Sequence, residues 1–207
     1  ETHALPITVI GGGSNILVKD EGVSGLVLSP HFTHLTYHEH DAHTVYVTAG
    51  AGVLLDDLVS DTVERGLWGL ENLSHIPGTV GGVPIQNVGA YGVEAKDVVV
   101  EVRVYDTESK RERILTNAEC AFQYRTSLFK RDEGRHFIVL SVTCALTRDY
   151  TPRIAYKDLA HLFATTHTVT QRAVRDAVIA IRSKKFPPWD TVPTAGSFFK
   201  NPIITHE

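Results

Sequence analysis

Two short segments hold side chains that could manage a carboxylate and a proton. Tyr124-Arg125-Thr126-Ser127-Leu128-Phe129-Lys130 sets polar and charged groups among aromatics. Near the other end, Ala195-Gly196-Ser197-Phe198-Phe199-Lys200-Asn201-Pro202 holds a serine between a glycine and two phenylalanines. A guanidinium is always charged and can clamp a carboxylate with two hydrogen bonds. Ser197 is not in a Gly-x-Ser-x-Gly elbow and no His/Asp pair accompanies it, so a nucleophile is disfavoured. Its hydroxyl could instead donate a proton. Serine is a poor acid, so the acceptor must be strongly basic. That points to carbanion or enolate chemistry. The plainer alternatives are a surface ion pair for Arg125 and a turn-capping hydroxyl for Ser197.

Two glycine-rich stretches could hold a ligand beside these groups. His75 to Gly92 carries five glycines and two prolines, with Ile76, Val80, Val83, Ile85, Val88 and Tyr91 threaded between them. A flexible linker lacks such apolar anchors. Glycine lets backbone approach a ligand closely, so the loop reads either as a buried structural connection or as amides facing a flat or anionic cofactor. Gly11-Gly12-Gly13-Ser14-Asn15 follows the apolar run Ile7 to Ile10. A strand feeding such a turn suits phosphate, although neither the Walker A nor the dinucleotide spacing is present. A tight turn between two strands is the alternative.

The elements that must position these segments can be taken in order. Ile7 to Ile10 fits a buried strand and Gly25 to Leu28 the next. Leu35 to Tyr37 and Val45 to Thr48 make an antiparallel pair joined through His38 to His43. His31, His34, His38, His40 and His43 are irregularly spaced and read as solvated loop residues, not a metal site. Gly50-Ala51-Gly52 introduces a helix with Leu54, Leu55, Leu58, Val59, Thr62 and Val63 on one face, stopped by Gly66. Val98, Val100, Val102 and Val104 share one face of a half-buried strand. Arg113 to Leu115 returns, a short helix begins near Asn117, and Asp132-Glu133-Gly134 turns into the long strand Phe137 to Leu146. Thr170 caps an amphipathic helix over Gln171 to Ser183, with Ala173, Val174, Ala177, Val178 and Ile181 as its buried stripe. Pro187 and Pro188 end it. Strands outnumber helices and no repeat appears, so the class is α+β.

Composition bounds the rest. The 207 residues are 43% hydrophobic and 21% charged with a net charge of -4, and can bury a substantial core. No basic block marks a nucleic-acid face. Cys120 and Cys144 form no framework, so a reduced cytosolic protein is expected. No apolar run approaches a membrane span. Glu1 is not an initiator and the chain has no methionine, so it reads as an internal piece of a longer protein.

In this order and at these spacings, Gly11 to Leu17, Ile76 to Gly92, Tyr124 to Lys130 and Gly196 to Pro202 resemble the UDP-N-acetylenolpyruvoylglucosamine reductases (UDP-N-acetylmuramate dehydrogenases, MurB). The resemblance implies the FAD-binding fold of the PCMH or vanillyl-alcohol-oxidase kind, followed by the start of a separate α+β substrate domain. Its divisions would be 1–28, the end of the first FAD-binding subdomain; 29–168, the second; and 169–207, the incomplete substrate domain. It implies FAD held by Gly11, Gly12, Gly13, Ser14, Asn15, Pro77, Gly78, Thr79, Gly81, Gly82, Gln86, Asn87, Gly89 and Tyr91. At Gly81, Gly82 and Gly89 a side chain could obstruct the cofactor. NADPH is the implied co-substrate, and the substrate is a small molecule, the enolpyruvyl ether of UDP-N-acetylglucosamine. Arg125 matches the arginine that stabilises the enolate, and Ser197 the serine that protonates it. Tyr124, Tyr156, Lys185 and Asn201 match substrate positions, with Lys184 the neighbour that competes with Lys185 for diphosphate. Tyr156 in its Tyr-x-Asp-Leu setting resembles the type I branch.

The resemblance also carries departures. The family's first flavin-binding strand and helix would precede Glu1, and a glutamate partnering Arg125 and Ser197 would follow Glu207. The expectation is a cytoplasmic enzyme of peptidoglycan precursor synthesis whose activity these residues alone lack. Neither nucleic acid nor membrane is expected as a partner. The rivals are another FAD oxidoreductase of this fold acting on a small alcohol or acid, and a non-catalytic nucleotide-binding fragment. A serine acid argues against the first, because such oxidases need a base.

Overall fold

A computed structural model describes residues 5–188, 191–192 and 199–202. Two strands, β1 (Ile7–Val9) and β2 (Leu26–Leu28), pair in parallel as a small sheet of their own. The main sheet begins with β3 (Leu35–Glu39) and β4 (Thr44–Gly50). After helix α1 (Leu55–Glu64) comes a long connection holding the two-residue strands β5 (Gly89–Ala90) and β6 (Val93–Glu94). Then follow β7 (Val99–Asp106), β8 (Arg111–Thr116) and β9 (Phe137–Thr147). Helices α2 (Lys157–Leu162) and α3 (Gln171–Lys185) complete the described elements. The main sheet runs β3-β4-β9-β7-β8, antiparallel throughout.

Alternation drives this sheet. Val45, Val47 and Ala49 of β4 are buried while Thr44, Tyr46 and Thr48 are only partly covered. Successive strand residues point to opposite faces, so the three buried residues form one apolar surface. Leu55, Leu58, Val59 and Val63 of α1 join the same core, as i, i+3, i+4 and i+8 positions of one helical face must. Leu54 falls just outside the helix at its N-cap and is 47% exposed, not part of the stripe. Gly66, at φ +70°, turns the chain out of α1.

Four elements differ from the sequence expectation. The valine alternation of 98–104 breaks at a bulge between Val99 and Glu101, so Val99 and Val102 are both buried and Val100 is not. A bulge puts two residues opposite one and shifts the face. Residues 117–121 are turns, not a helix. The Asn117 side chain donates to the carbonyls of Lys96 (2.9 Å) and Val99 (2.6 Å), the local competition that disfavours helix. α2 has no counterpart in the sequence reading, because six residues are too few for a periodic signal; fully buried Leu159 anchors it. The strand over Ile7 to Ile10 forms but is not buried: Ile7 and Val9 are 50% and 42% exposed, since among the described residues no second layer covers β1 and β2.

A second core holds α3 in place. Val174 and Val178 pack with Trp68, Tyr91, Leu159 and Val169, with Ala173, Ala177 and Ile181 at its edge. The Thr170 hydroxyl accepts from the Ala173 N–H at 3.1 Å, the expected cap. Beneath α3 lies the single turn Glu71–Leu73. Glu71 is 1% exposed; Oε2 accepts the Gly69 N–H at 2.7 Å, and Oε1 has no partner among the described residues. Burial pushes this carboxyl up from its ordinary pKa. A raised acid binds its proton more tightly in the folded state, so its contribution to stability is present at low pH and lost as pH rises through the native value. Glu71→Gln is expected to flatten that fall, read from urea midpoints at pH 5 and pH 8. Equal slopes for both proteins would contradict this account.

Candidate functional site

The two glycine-rich segments meet. The Ser14 hydroxyl donates to the Pro77 carbonyl at 3.1 Å, and Asn15 Nδ2 donates to Gln86 Oε1 at 2.9 Å. A Cβ on Gly11 would lie 2.6 Å from Thr79 Oγ1, and one on Gly12 3.1 Å from the Gly78 Cα. Gly78 sits at φ +110°, and a Cβ there would approach Ser14 Oγ to 2.9 Å. Backbone therefore abuts backbone at this crossing, which only glycine permits. The Gly78 carbonyl also accepts the Leu55 N–H at 3.0 Å, tying the loop to the start of α1.

This crossing suits an anionic, flat ligand such as FAD. Among the described residues the exposed amides of Gly11, Gly12 and Gly13 have no hydrogen-bond partner. Consecutive amides of this kind form a concave donor set for phosphate. Around Gly13 and Gly82 a Cβ would meet nothing within 4 Å, so both border open space. Gly81 and Gly89 do not. A Cβ on Gly81 would press on Ala51 at 2.9 Å and one on Gly89 on Glu94 and Val93 at 3.0 Å, so close packing within the protein accounts for both glycines.

Asn87 has a structural task. It is 0% exposed, at φ +49°. Its Nδ2 donates to Glu94 Oε2 and to the Gln123 carbonyl, both at 3.1 Å, and its Oδ1 accepts the Lys96 N–H at 2.9 Å. It staples the glycine loop to the Tyr124-Arg125 segment. The Ser127 hydroxyl adds a second staple by donating to the Ile85 carbonyl at 2.7 Å. Arg125 stands at the tip, at φ +55° between the bridged residues Gln123 and Thr126. Its guanidinium lies 5.9 Å from the Tyr124 ring centroid, and among the described residues it forms no ion pair. Lys200 Nζ lies 5.3 Å from the same ring, so Lys200 reaches this segment. Ser197 lies outside the described residues; Asn201 is described and exposed.

A second group gathers around Tyr91, which is 8% exposed at φ +48°. Tyr156 stacks edge-on to it at 5.3 Å. Lys185 Nζ donates to Asp158 Oδ2 at 2.6 Å, and this bond, with the fields of Asp158 and the two tyrosines, raises the lysine pKa. Lys184 and Lys185 both line the neighbouring groove between α2 and α3, with Lys157 and His161. A cleft of about 540 Å³ beside Tyr91 and Tyr156 is lined by Arg153, Ile154 and Phe163. Asp56, Arg175 and Arg182 also meet here, at His75. No motif marked them, although Arg175 and Arg182 are two turns apart on one face of α3.

Other chemistry is not supported. Burial pushes the thiols of Cys120 and Cys144 up to about 12, so neither is a ready thiolate. His43 pairs with Asp149 and His40 stacks on Tyr46. No group of three or more His, Cys, Asp or Glu among the described residues could hold a metal ion. No helix among them is long and apolar enough to cross a membrane.

Comparison with known proteins agrees with this geometry. The chain is 44% identical over 96% of its length to the UDP-N-acetylenolpyruvoylglucosamine reductase of Neisseria meningitidis serogroup C, and 45% identical over 98% to that of Cupriavidus pinatubonensis. It spans 58% and 60% of those two proteins. The crystal structure of the reductase (MurB) from Thermus caldophilus superposes on 96% of the chain and 62% of its own, with a TM-score of 0.67 at 30% identity. The sequence profile of the family described as FAD binding domain matches residues 1–114. More than half of the chain falls under that profile, and it covers both glycine-rich segments, so the chain belongs to the FAD binding domain family.

Proposed function

We propose that this chain is the FAD-binding portion of a UDP-N-acetylenolpyruvoylglucosamine reductase, a cytoplasmic enzyme that makes UDP-N-acetylmuramate for peptidoglycan with NADPH as reductant. The observation that carries this reading is the stapling of the Tyr124-Arg125 segment onto the glycine loop through Asn87 and Ser127. A carboxylate-binding group and a cofactor-binding surface are thereby built as one unit. The 44–45% identity to named reductases supports the substrate class.

FAD, when bound, supplies the relay that carries hydride from NADPH to the substrate. Gly11, Gly12 and Gly13 would hold its pyrophosphate through backbone amides, with Ser14 and Asn15 locking that turn against Pro77 and Gln86. Arg125 would hold the substrate carboxylate. As hydride arrives at the methylene carbon, negative charge grows on the adjacent carbon and spreads into that carboxylate. The fixed guanidinium stabilises this charge more than the starting state. Ser197 would then deliver a proton to the carbon, giving the lactyl ether. Tyr156, Lys185 and Asn201 would receive the UDP diphosphate. Of the two lysines lining the α2–α3 groove, Lys185 is the one that the match to the reductases assigns to diphosphate.

The test is spectroscopic. The reductase carrying this sequence is reduced with NADPH under nitrogen and mixed with the enolpyruvyl ether of UDP-N-acetylglucosamine. Rapid return of the oxidised flavin spectrum is expected. A flavin that stays reduced with this substrate but is reoxidised by oxygen would overturn the assignment.

A further inference from the structure

His75, the residue that opens the glycine loop, is held on both sides of its backbone by charged groups. Its N–H donates to Asp56 Oδ1 at 2.6 Å, and its carbonyl accepts from Arg182 Nε at 2.8 Å. Its φ is +57°, a region that costs a side-chain-bearing residue energy and persists only where the surroundings impose it. The imposing groups are themselves fixed. Arg175 binds Asp56 through two parallel bonds of 2.6 and 3.0 Å and is 8% exposed. Burial alone would raise the Asp56 pKa; the bonds from Arg175 and the His75 N–H hold it below the ordinary carboxylate range. Arg182, also desolvated, lies across the Phe186 ring at 5.0 Å. Three residues further along α3 is Lys185.

From this geometry we infer that Asp56, Arg175 and Arg182 form a clamp on the His75 backbone, and that α3 is the positioning element of the glycine loop. The inference deepens the flavin reading and rests on it for its functional meaning. Pro77, Gly78 and Thr79 follow His75 directly, and they form the crossing with Gly11 and Gly12. The helix that carries Lys185 on one side therefore sets the entry angle of the cofactor loop on the other. None of the three residues needs to touch FAD; they act through the loop.

A variant that keeps the fold but removes the clamp tests this. Replacing a buried ion pair by apolar residues of similar size is often close to neutral for stability, so Asp56→Leu/Arg175→Met is the variant of choice, with Arg182→Met as the second. Amide hydrogen exchange over residues 76–92 is compared with exchange in β4 and β9. The clamp predicts exchange faster by about tenfold or more in the loop, the change that about 1.4 kcal/mol corresponds to, with the sheet unchanged. Unchanged loop exchange overturns the inference. Equal acceleration in loop and sheet also overturns it, because the pair would then serve global stability only. FAD affinity, read from quenching of flavin fluorescence, should weaken by a similar factor in the variants. A parent chain whose loop responds as stated but which binds no FAD would refute the flavin reading and leave the clamp standing.

Discussion

Under the proposed function, replacing Arg125 with alanine is expected to slow reduction of the enolpyruvyl substrate by roughly 10²–10³ while leaving the flavin spectrum and the melting temperature unchanged. The asymmetry follows from where Arg125 sits. It is at the tip of a tight turn, partly exposed, and among the described residues has no carboxylate partner to lose. Its guanidinium lies 5.9 Å from the Tyr124 ring centroid. Truncation therefore removes no packing that the fold depends on, whereas the charge growing beside the substrate carboxylate loses its fixed counter-charge. Arg125→Lys should recover only part of the rate, since an ammonium cannot make the two parallel bonds of a guanidinium. Single-turnover mixing of the reduced protein with substrate reads this directly. Loss of substrate binding with an unchanged rate at saturation would assign Arg125 to ground-state binding instead.

Asn87 predicts the opposite pattern, a large loss of stability. Asn87→Ala removes three hydrogen bonds from a residue with no solvent exposure, leaving the Lys96 N–H and the Gln123 carbonyl without this partner, while Glu94 keeps its ion pair with Lys96 Nζ at 2.7 Å. Each buried group left unpaired costs ~1–3 kcal/mol. Alanine must also adopt φ +49°, which asparagine tolerates better. Together these give a loss of about 3–5 kcal/mol, or roughly 6–20 °C in melting temperature for a chain of this size. Asn87→Gly would relieve the backbone part and remain destabilised by the rest. A melting temperature within a degree or two of the parent for Asn87→Ala would show that water replaces the side chain, and that the loop is held elsewhere.

Much of this architecture is legible in the residues because alternation and capping are local signals. The buried face of β4 follows from Val45, Val47 and Ala49, and the start of α3 from Thr170. Gly66 marks the end of α1. The same locality explains the losses. The bulge at Val100 is imposed by pairing with β9, some forty residues away, and no pattern within 98–104 reports it. α2 depends on one buried leucine. At the site, the glycines announce a loop that approaches something closely, but not what. Gly81 approaches Ala51, and Gly89 its own hairpin partner, while Gly82 borders open space. Residues of the clamp were invisible for a related reason. In the sequence Asp56 stands among the acids Asp57, Asp61 and Glu64, and Arg175 beside Asp176, with no pattern that pairs the two. Only the packing of the two helices turns them towards each other.

The strand order also governs when the site can form during synthesis. β4 and β7 flank β9 and never pair with each other. Everything from Ala51 to Val98, including the glycine loop, therefore emerges from the ribosome before the five-stranded sheet exists to receive it. Until Phe137 to Thr147 has been made, β4 has only β3 beside it and β7 only β8, two hairpins with nothing joining them. A pair of isolated hairpins is marginal in water. The connection that becomes the cofactor surface must then wait through roughly forty further residues, seconds at ordinary elongation rates, with its valines and isoleucines uncovered. Substitutions that weaken β9 should accordingly lower the yield of soluble protein far more than they lower the stability of what folds.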